Sequence, residues 1–129
     1  MKNAADRYQS IRAETSSPGE ILLALYSGLF RFLNGARTSI EKGDRQTASK
    51  LLNKAHAIIS ELYIALDRES APELCEQLAG VYDFCMDRVA RANASGDISL
   101  VDEVVRVMTP LKEAWEVAVP QTHGERRRA

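Results

Sequence analysis

Apolar residues recur every three to four positions in four successive blocks of this chain, and each block ends in a cluster of turn-forming residues. In the first block Leu22, Leu25, Tyr26, Leu29, Leu33, Ala36 and Ile40 fall on one stripe at about 100° per residue. Ile21 and Phe32 widen that stripe on one flank, Leu23 and Phe30 on the other, to roughly 200°. A helix at the corner of a bundle needs about half of that, so the surplus predicts apolar surface with a second use. Ser17-Pro18-Gly19-Glu20 is a start signal: a serine to accept an early amide, a proline with no amide to leave unpaired, and a glutamate three residues on. Glu41-Lys42-Gly43 ends the block, and Asp44 caps the next.

The second block carries Ala48, Leu51, Leu52, Ala55, Ile58, Ile59, Leu62, Tyr63 and Leu66 on one face, with Ile64 opposite. After Asp67-Arg68-Glu69, the run Ser70-Ala71-Pro72-Glu73 repeats the first start signal and predicts a serine cap. Leu74, Leu78, Val81, Tyr82, Cys85, Val89 and Ala92 form the third stripe, and Phe84 lies off it. Asn93-Ala94-Ser95-Gly96 closes that helix, and Asp97 or Ser99 caps the fourth, with Leu100, Val101, Val104, Met108, Leu111, Trp115 and Val119 on one side. Pro110 is expected to bend this helix and Pro120 to stop it. Four helices of about 22 to 25 residues with short connections predict an all-α, antiparallel up-down four-helix bundle over 17–119. A short N-terminal arm, 1–16, precedes it, with Tyr8 and Ile11 as its apolar anchors; a disordered tail, 120–129, follows.

At 129 residues with a net charge of -1, the chain is one domain without the general positive field that holds nucleic acid. The basic triplet Arg126 to Arg128 sits in the tail. Cys75 and Cys85 stand ten residues apart in one predicted helix, about 15 Å along its axis, which no disulfide spans. They read as small buried apolar groups in a reducing compartment. A polar opening and the lack of an apolar run of about 18 residues predict a cytoplasmic protein with no membrane insertion.

Chemistry finds little footing. A di-iron site would need paired Glu-x-x-His motifs, and the two histidines are His56 and His123. His56 beside Lys54 is a poor phosphoacceptor candidate, because Ala57-Ile58-Ile59-Ser60 follows it. Neither cysteine has a histidine at helical spacing, and there is no glycine-rich phosphate loop. No cofactor, no metal and no enzymatic activity are expected.

The chain resembles the flagellin-specific export chaperones of the FliS type. The resemblance is carried by Thr15-Ser16-Ser17-Pro18-Gly19-Glu20-Ile21 followed by Leu25-Tyr26-Ser27-Gly28-Leu29-Phe30-Arg31-Phe32-Leu33. Lys54 to Leu62, Val81 to Arg88, Ala92-Asn93 with Asp97, and Glu113-Ala114-Trp115 support it in order and spacing. Ser27 and Ala24 depart from the aspartate and methionine common in that family. The resemblance implies a cytoplasmic chaperone that binds the C-terminal helical segment of flagellin, prevents premature polymerisation and presents it to the flagellar type III export gate. It also implies an arm, bearing Tyr8 and Ile11, that covers part of the binding groove and moves when flagellin arrives. From the residues themselves, the surplus positions Ile21, Phe30, Phe32, Ile64, Phe84 and Val117 are the groove candidates. A weak homodimer through the same surface and a regulatory or scaffold bundle binding a folded partner are the competing uses; scatter of the apolar surplus favours an extended client.

Overall fold

The computed structural model describes residues 17–128 of the chain, with side chains described for 17–120. Four helices account for them: α1 (Pro18–Glu41), α2 (Arg45–Ile64), α3 (Pro72–Ser95) and α4 (Ile98–Arg128). Each helix packs on its neighbours in the chain, and α4 closes the ring against α1, while the diagonal pairs keep their backbones apart. This is the expected up-down bundle.

The turns explain the starts. Ser17 Oγ accepts from the Glu20 amide at 3.4 Å, and Asp44 Oδ1 from the Thr47 amide at 3.0 Å, each satisfying an amide that the helix cannot. Asp97 Oδ1 does the same for Ser99 at 2.9 Å, so aspartate and not serine is the cap of α4. The third start differs from expectation. Ala71 occupies the cap position of α3 and offers no side-chain bond, because one extra residue separates Ser70 from Pro72; in α1 the serine abuts the proline. Ser70 instead donates to Asp67 Oδ2 at 2.6 Å and tightens the preceding turn.

α4 also departs from the sequence reading: its backbone continues through both Pro110 and Pro120 to Arg128. Each proline strips one carbonyl, four residues back, of its partner. Those carbonyls belong to Arg106 and Glu116, both exposed, as are the two prolines, so water can take the missing donor's place. Beside the first interruption Thr109 Oγ1 donates to Val105 O at 2.6 Å, a back-bond that favours curvature.

The core is built from the predicted stripes. Tyr26, Leu29, Leu33, Leu52, Ile59, Tyr82, Val89, Val101, Val104 and Met108 are almost wholly shielded, and Cys75 and Cys85 are buried free thiols. The α1–α2 contact is made close by two glycines one heptad apart. A Cβ at Gly28 would stand 3.3 Å from Ile58 Cδ1, and one at Gly35 3.0 Å from Leu51 Cδ1, so the two backbones approach over absent side chains. Across the ring's diagonal, Tyr26 of α1 and Tyr82 of α3 share a 2.8 Å hydrogen bond between hydroxyls.

At the end holding the α1–α2 and α3–α4 turns, Arg45 of α2 donates to the carbonyls of Asn93, Ala94 and Ser95 at 3.2–3.3 Å. A cation on the last carbonyls of α3 meets both their unpaired oxygens and the negative end of the helix dipole. Gly96 follows in the left-handed region, φ 71°, against the Arg45 guanidinium, where a Cβ would collide. That end is sealed.

Candidate functional site

The opposite end is open. There the start of α1, the end of α2, the start of α3 and the far part of α4 converge on a cavity of about 550 Å³. Pro18, Ile21, Leu22 and Leu25 form one wall, Leu62, Ile64, Ala65 and Leu66 another, and Leu74, Cys75, Leu78, Tyr82 and Trp115 complete it. Glu61, Asp67 and Ser70 supply its few polar groups at the rim. The physical origin is geometric: helix stripes converge on a core in mid-bundle, while the 65–71 connection spans the gap between the last turn of α2 and the first turn of α3 at this end.

Two of the groove candidates belong to this cavity. Ile21 is a half-buried part of the wall, and Ile64, 76% exposed, stands at its edge. Phe30 and Phe32 are half-buried shoulders on opposite flanks of α1, packed on the core edge. Lys112 lies 5.6 Å from the Phe30 ring centroid; Arg31 and Lys54 lie 5.4 and 5.5 Å from that of Phe32. Phe84, 37% exposed, lies under the Arg88 guanidinium at 4.4 Å. Val117 is 63% exposed and lies outside the cavity lining. Tyr8 and Ile11 lie outside the described residues. The structure therefore brings Ile21 and Ile64 together and leaves Phe30, Phe32, Phe84 and Val117 distributed around the bundle.

Leu74 was assigned to the third core stripe and is instead 48% exposed beside the cavity. It belongs to the first turn of α3, where the adjacent Cys75 takes the buried position. Its signal in the sequence is that closeness to Pro72: an apolar residue in the first turn after a long connection. Trp115, expected in the core, is only half-buried, and its indole Nε1 is buried without a hydrogen-bond partner among the described residues. The indole N–H lies near enough to Tyr26 to favour the ionised phenol slightly, but burial dominates and raises the Tyr26 pKa. Tyr82 is raised further, first by burial and then by its bond to Tyr26. Burial pushes the Cys85 thiol up to about 11, which makes it a poor nucleophile at neutral pH.

Nothing in this cavity is arranged for bond-breaking chemistry: its lining is chiefly aliphatic and aromatic. Among the described residues no group of three or more His, Cys, Asp or Glu could hold a metal ion, and no helix is long and apolar enough to cross a membrane. What the arrangement can do is shield apolar side chains of another chain. An open concavity takes one anchor, and the exposed residues Phe84 and Val117, outside its lining, offer further contacts.

Comparison with known proteins gives the same direction. The family model for the flagellar protein FliS matches residues 1–122. The flagellar secretion chaperone FliS of Bacillus subtilis (strain 168) is 32% identical over 126 residues, covering 98% of this chain and 93% of that protein. The flagellar secretion chaperone FliSB of Pseudomonas aeruginosa is 34% identical over 117 residues, 88% of this chain and 93% of that protein. A solved structure described as a crystal structure of a flagellar chaperone from bacteria superposes with a TM-score of 0.75, covering 92% of this chain and 96% of the other. At 21% identity that likeness speaks for the fold.

Proposed function

Since this chain belongs to the FliS family and is a flagellar secretion chaperone, we propose that its client is the C-terminal helical segment of flagellin, held in the cytoplasm until export. Binding keeps that segment from polymerising early, and the complex presents it to a component of the flagellar type III export gate. The observation that carries the reading is the open apolar cavity of about 550 Å³ at one end of the bundle, with further exposed apolar residues off it. An amphipathic segment that is unfolded alone must hide its apolar face as it orders, and separated anchor points along a bundle suit a chain wrapped over it. A folded partner would call for one continuous patch of about 800 Å² on this side, and Phe84 and Val117 lie apart from the cavity. Ile21, Ile64 and Leu74 are the anchor positions at the cavity, and Phe30, Phe32, Phe84 and Val117 the peripheral ones.

Titration calorimetry with a peptide spanning the C-terminal segment of the flagellin from the same organism tests this. Saturable one-to-one binding with a negative heat-capacity change and helix gained by the peptide is expected. Ile64→Asp and Leu74→Asp, both at exposed positions, should each weaken it by about tenfold or more while leaving the melting temperature within a few degrees. Binding unaffected by both substitutions would remove the cavity from the client site, and absence of binding would favour the scaffold use of the bundle.

A further inference from the structure

α4 is one helix in its backbone and two in its packing. Before Pro110, Val101, Val104 and Met108 are wholly shielded in the core. After it, Leu111, Trp115 and Val119 are only half-buried, and no side chain from 111 to 120 is fully buried. The ion pairs follow the same division. Asp102 holds Arg37 of α1 and Glu103 holds Arg88 of α3, each at 2.8 Å, both in the opening turns. Beyond Pro110 the ion pair found is Lys112 with Glu116, within α4 itself. Pro110 removes the bond to the Arg106 carbonyl at the junction of these two regimes. The indole of Trp115 in this outer part lies near Tyr26 without a well-formed hydrogen bond among the described residues, and Trp115 is a wall of the end cavity.

At its outer end this segment packs on the start of α1 through Val119. A Cβ built on Gly19 would come within 2.6 Å of Val119 Cγ1, so Val119 sits directly on the bare Gly19 backbone, two residues from Ser17 where residues 1–16 join the bundle. We propose that residues 111–120 of α4 form a movable wall of the end cavity, hinged at Pro110 and latched by Val119 on Gly19, whose outward turn admits the client. What enters rests on the flagellin reading above; the motion does not. With the wall in, the cavity is roofed on the α4 side; with it out, the apolar lining of α1, α2 and α3 is reached from the flank. The absence of any fully buried side chain from 111 to 120 places the segment toward the low-stability end of the fold, where such motions are drawn from.

Two substitutions move the wall in opposite directions without altering the cavity lining. Gly19→Ala forces the stiff Val119 side chain away and releases the latch. Pro110→Ala restores the amide that can bond Arg106 and stiffens the hinge. Trp115 is the single tryptophan of the chain, so its fluorescence reports the wall directly. Hydrogen exchange on the full chain should show amides 111–119 exchanging at least about tenfold faster than 101–108. Gly19→Ala should raise acrylamide quenching of Trp115 about twofold and speed exchange in that segment alone, whereas Pro110→Ala lowers both. Association of the flagellin peptide should be faster in the first variant and slower in the second, each by about threefold. Exchange uniform along α4, or quenching unmoved by either substitution, overturns the hinge. Should exchange and quenching behave as stated while the wild-type chain ignores the peptide, the wall stands and the flagellin reading falls.

Discussion

The hydroxyl pair of Tyr26 and Tyr82 allows the sharpest test of how the ring of helices is tied together. The two residues are 0% and 2% exposed, their hydroxyls 2.8 Å apart, and they join helices whose backbones do not meet. Tyr26→Phe leaves the Tyr82 hydroxyl buried without its partner, at a cost of about 1–3 kcal/mol. Tyr82→Phe should cost less, because the Trp115 indole N–H is the nearest substitute donor for Tyr26. Removing both hydroxyls deletes the polar problem with the bond, so the double variant should be more stable than the sum of the singles predicts, by about 1 kcal/mol. Urea unfolding of the four proteins measures this, with one kcal/mol worth about 4 °C in melting temperature for a domain of this size. Alkaline titration gives a second readout. Both phenols have raised pKa values in the fold, so their stabilisation is complete below the unfolded value near 10 and is lost as pH rises above it. The double Phe variant should therefore unfold at a higher pH than the wild type. Additivity of the singles to within about 0.4 kcal/mol would refute the claim that the two hydroxyls are coupled.

Two glycines predict opposite signs in the same assay. Gly80→Ala, in the exposed interior of α3 with nothing within 4 Å of the added methyl, should stabilise by up to about 1 kcal/mol. Gly96→Ala, at φ 71° and against Arg45, should destabilise by about 1–2 kcal/mol and lower the melting temperature accordingly. In acid, Asp44, Asp67 and Asp97 are held below the usual carboxylate range, chiefly by side-chain bonds from Thr47, Ser70 and Ser99 and then by the amides of those residues. Depressed folded values mean stability that is present above the unfolded pKa near 3.9 and lost as pH falls through the lower folded values; melting temperature should decline below about pH 4, and less steeply in Asp44→Asn.

The residues that set helix number, direction and most of the core were plain in the sequence because each follows from a local rule. The four stripes are period and composition, and Ser17, Asp44 and Asp97 cap where a short polar side chain precedes a helix. Reading failed where one residue of register or a tertiary neighbour decided. Ser70 looks like Ser17 until the extra Ala71 is counted. Pro120 carries a stop signal, but an exposed proline interrupts only one bond and α4 runs on. Leu74 keeps the stripe's period, but the adjacent Cys75 takes the buried position in that first turn. Among the candidate site residues, Ile64, Phe84 and Val117 were found by pointing away from their stripes, a local property. The cavity was not, since it arises from four helices meeting at the end that the 65–71 connection spans.

Those facts give the bundle a direction. Its turn end is closed by Arg45 on the α3 carbonyls, and α1 and α2 are held close over Gly28 and Gly35. The first part of α4 adds its buried valines and its ion pairs to both neighbours. Among the described residues the loosened elements lie toward the other end: the start of α3 without a side-chain cap, the half-buried outer part of α4 and the open cavity. A chaperone for a segment that orders as it binds needs such a gradient, because the surface it offers must be apolar and yet must not collapse onto itself when empty. A uniformly packed bundle would have no surface to lend, and a uniformly loose one would be a client itself. Confining the looseness to one end leaves the diagonal tyrosine bond as the boundary between the two regimes, with Tyr82 both a member of the core and part of the cavity lining.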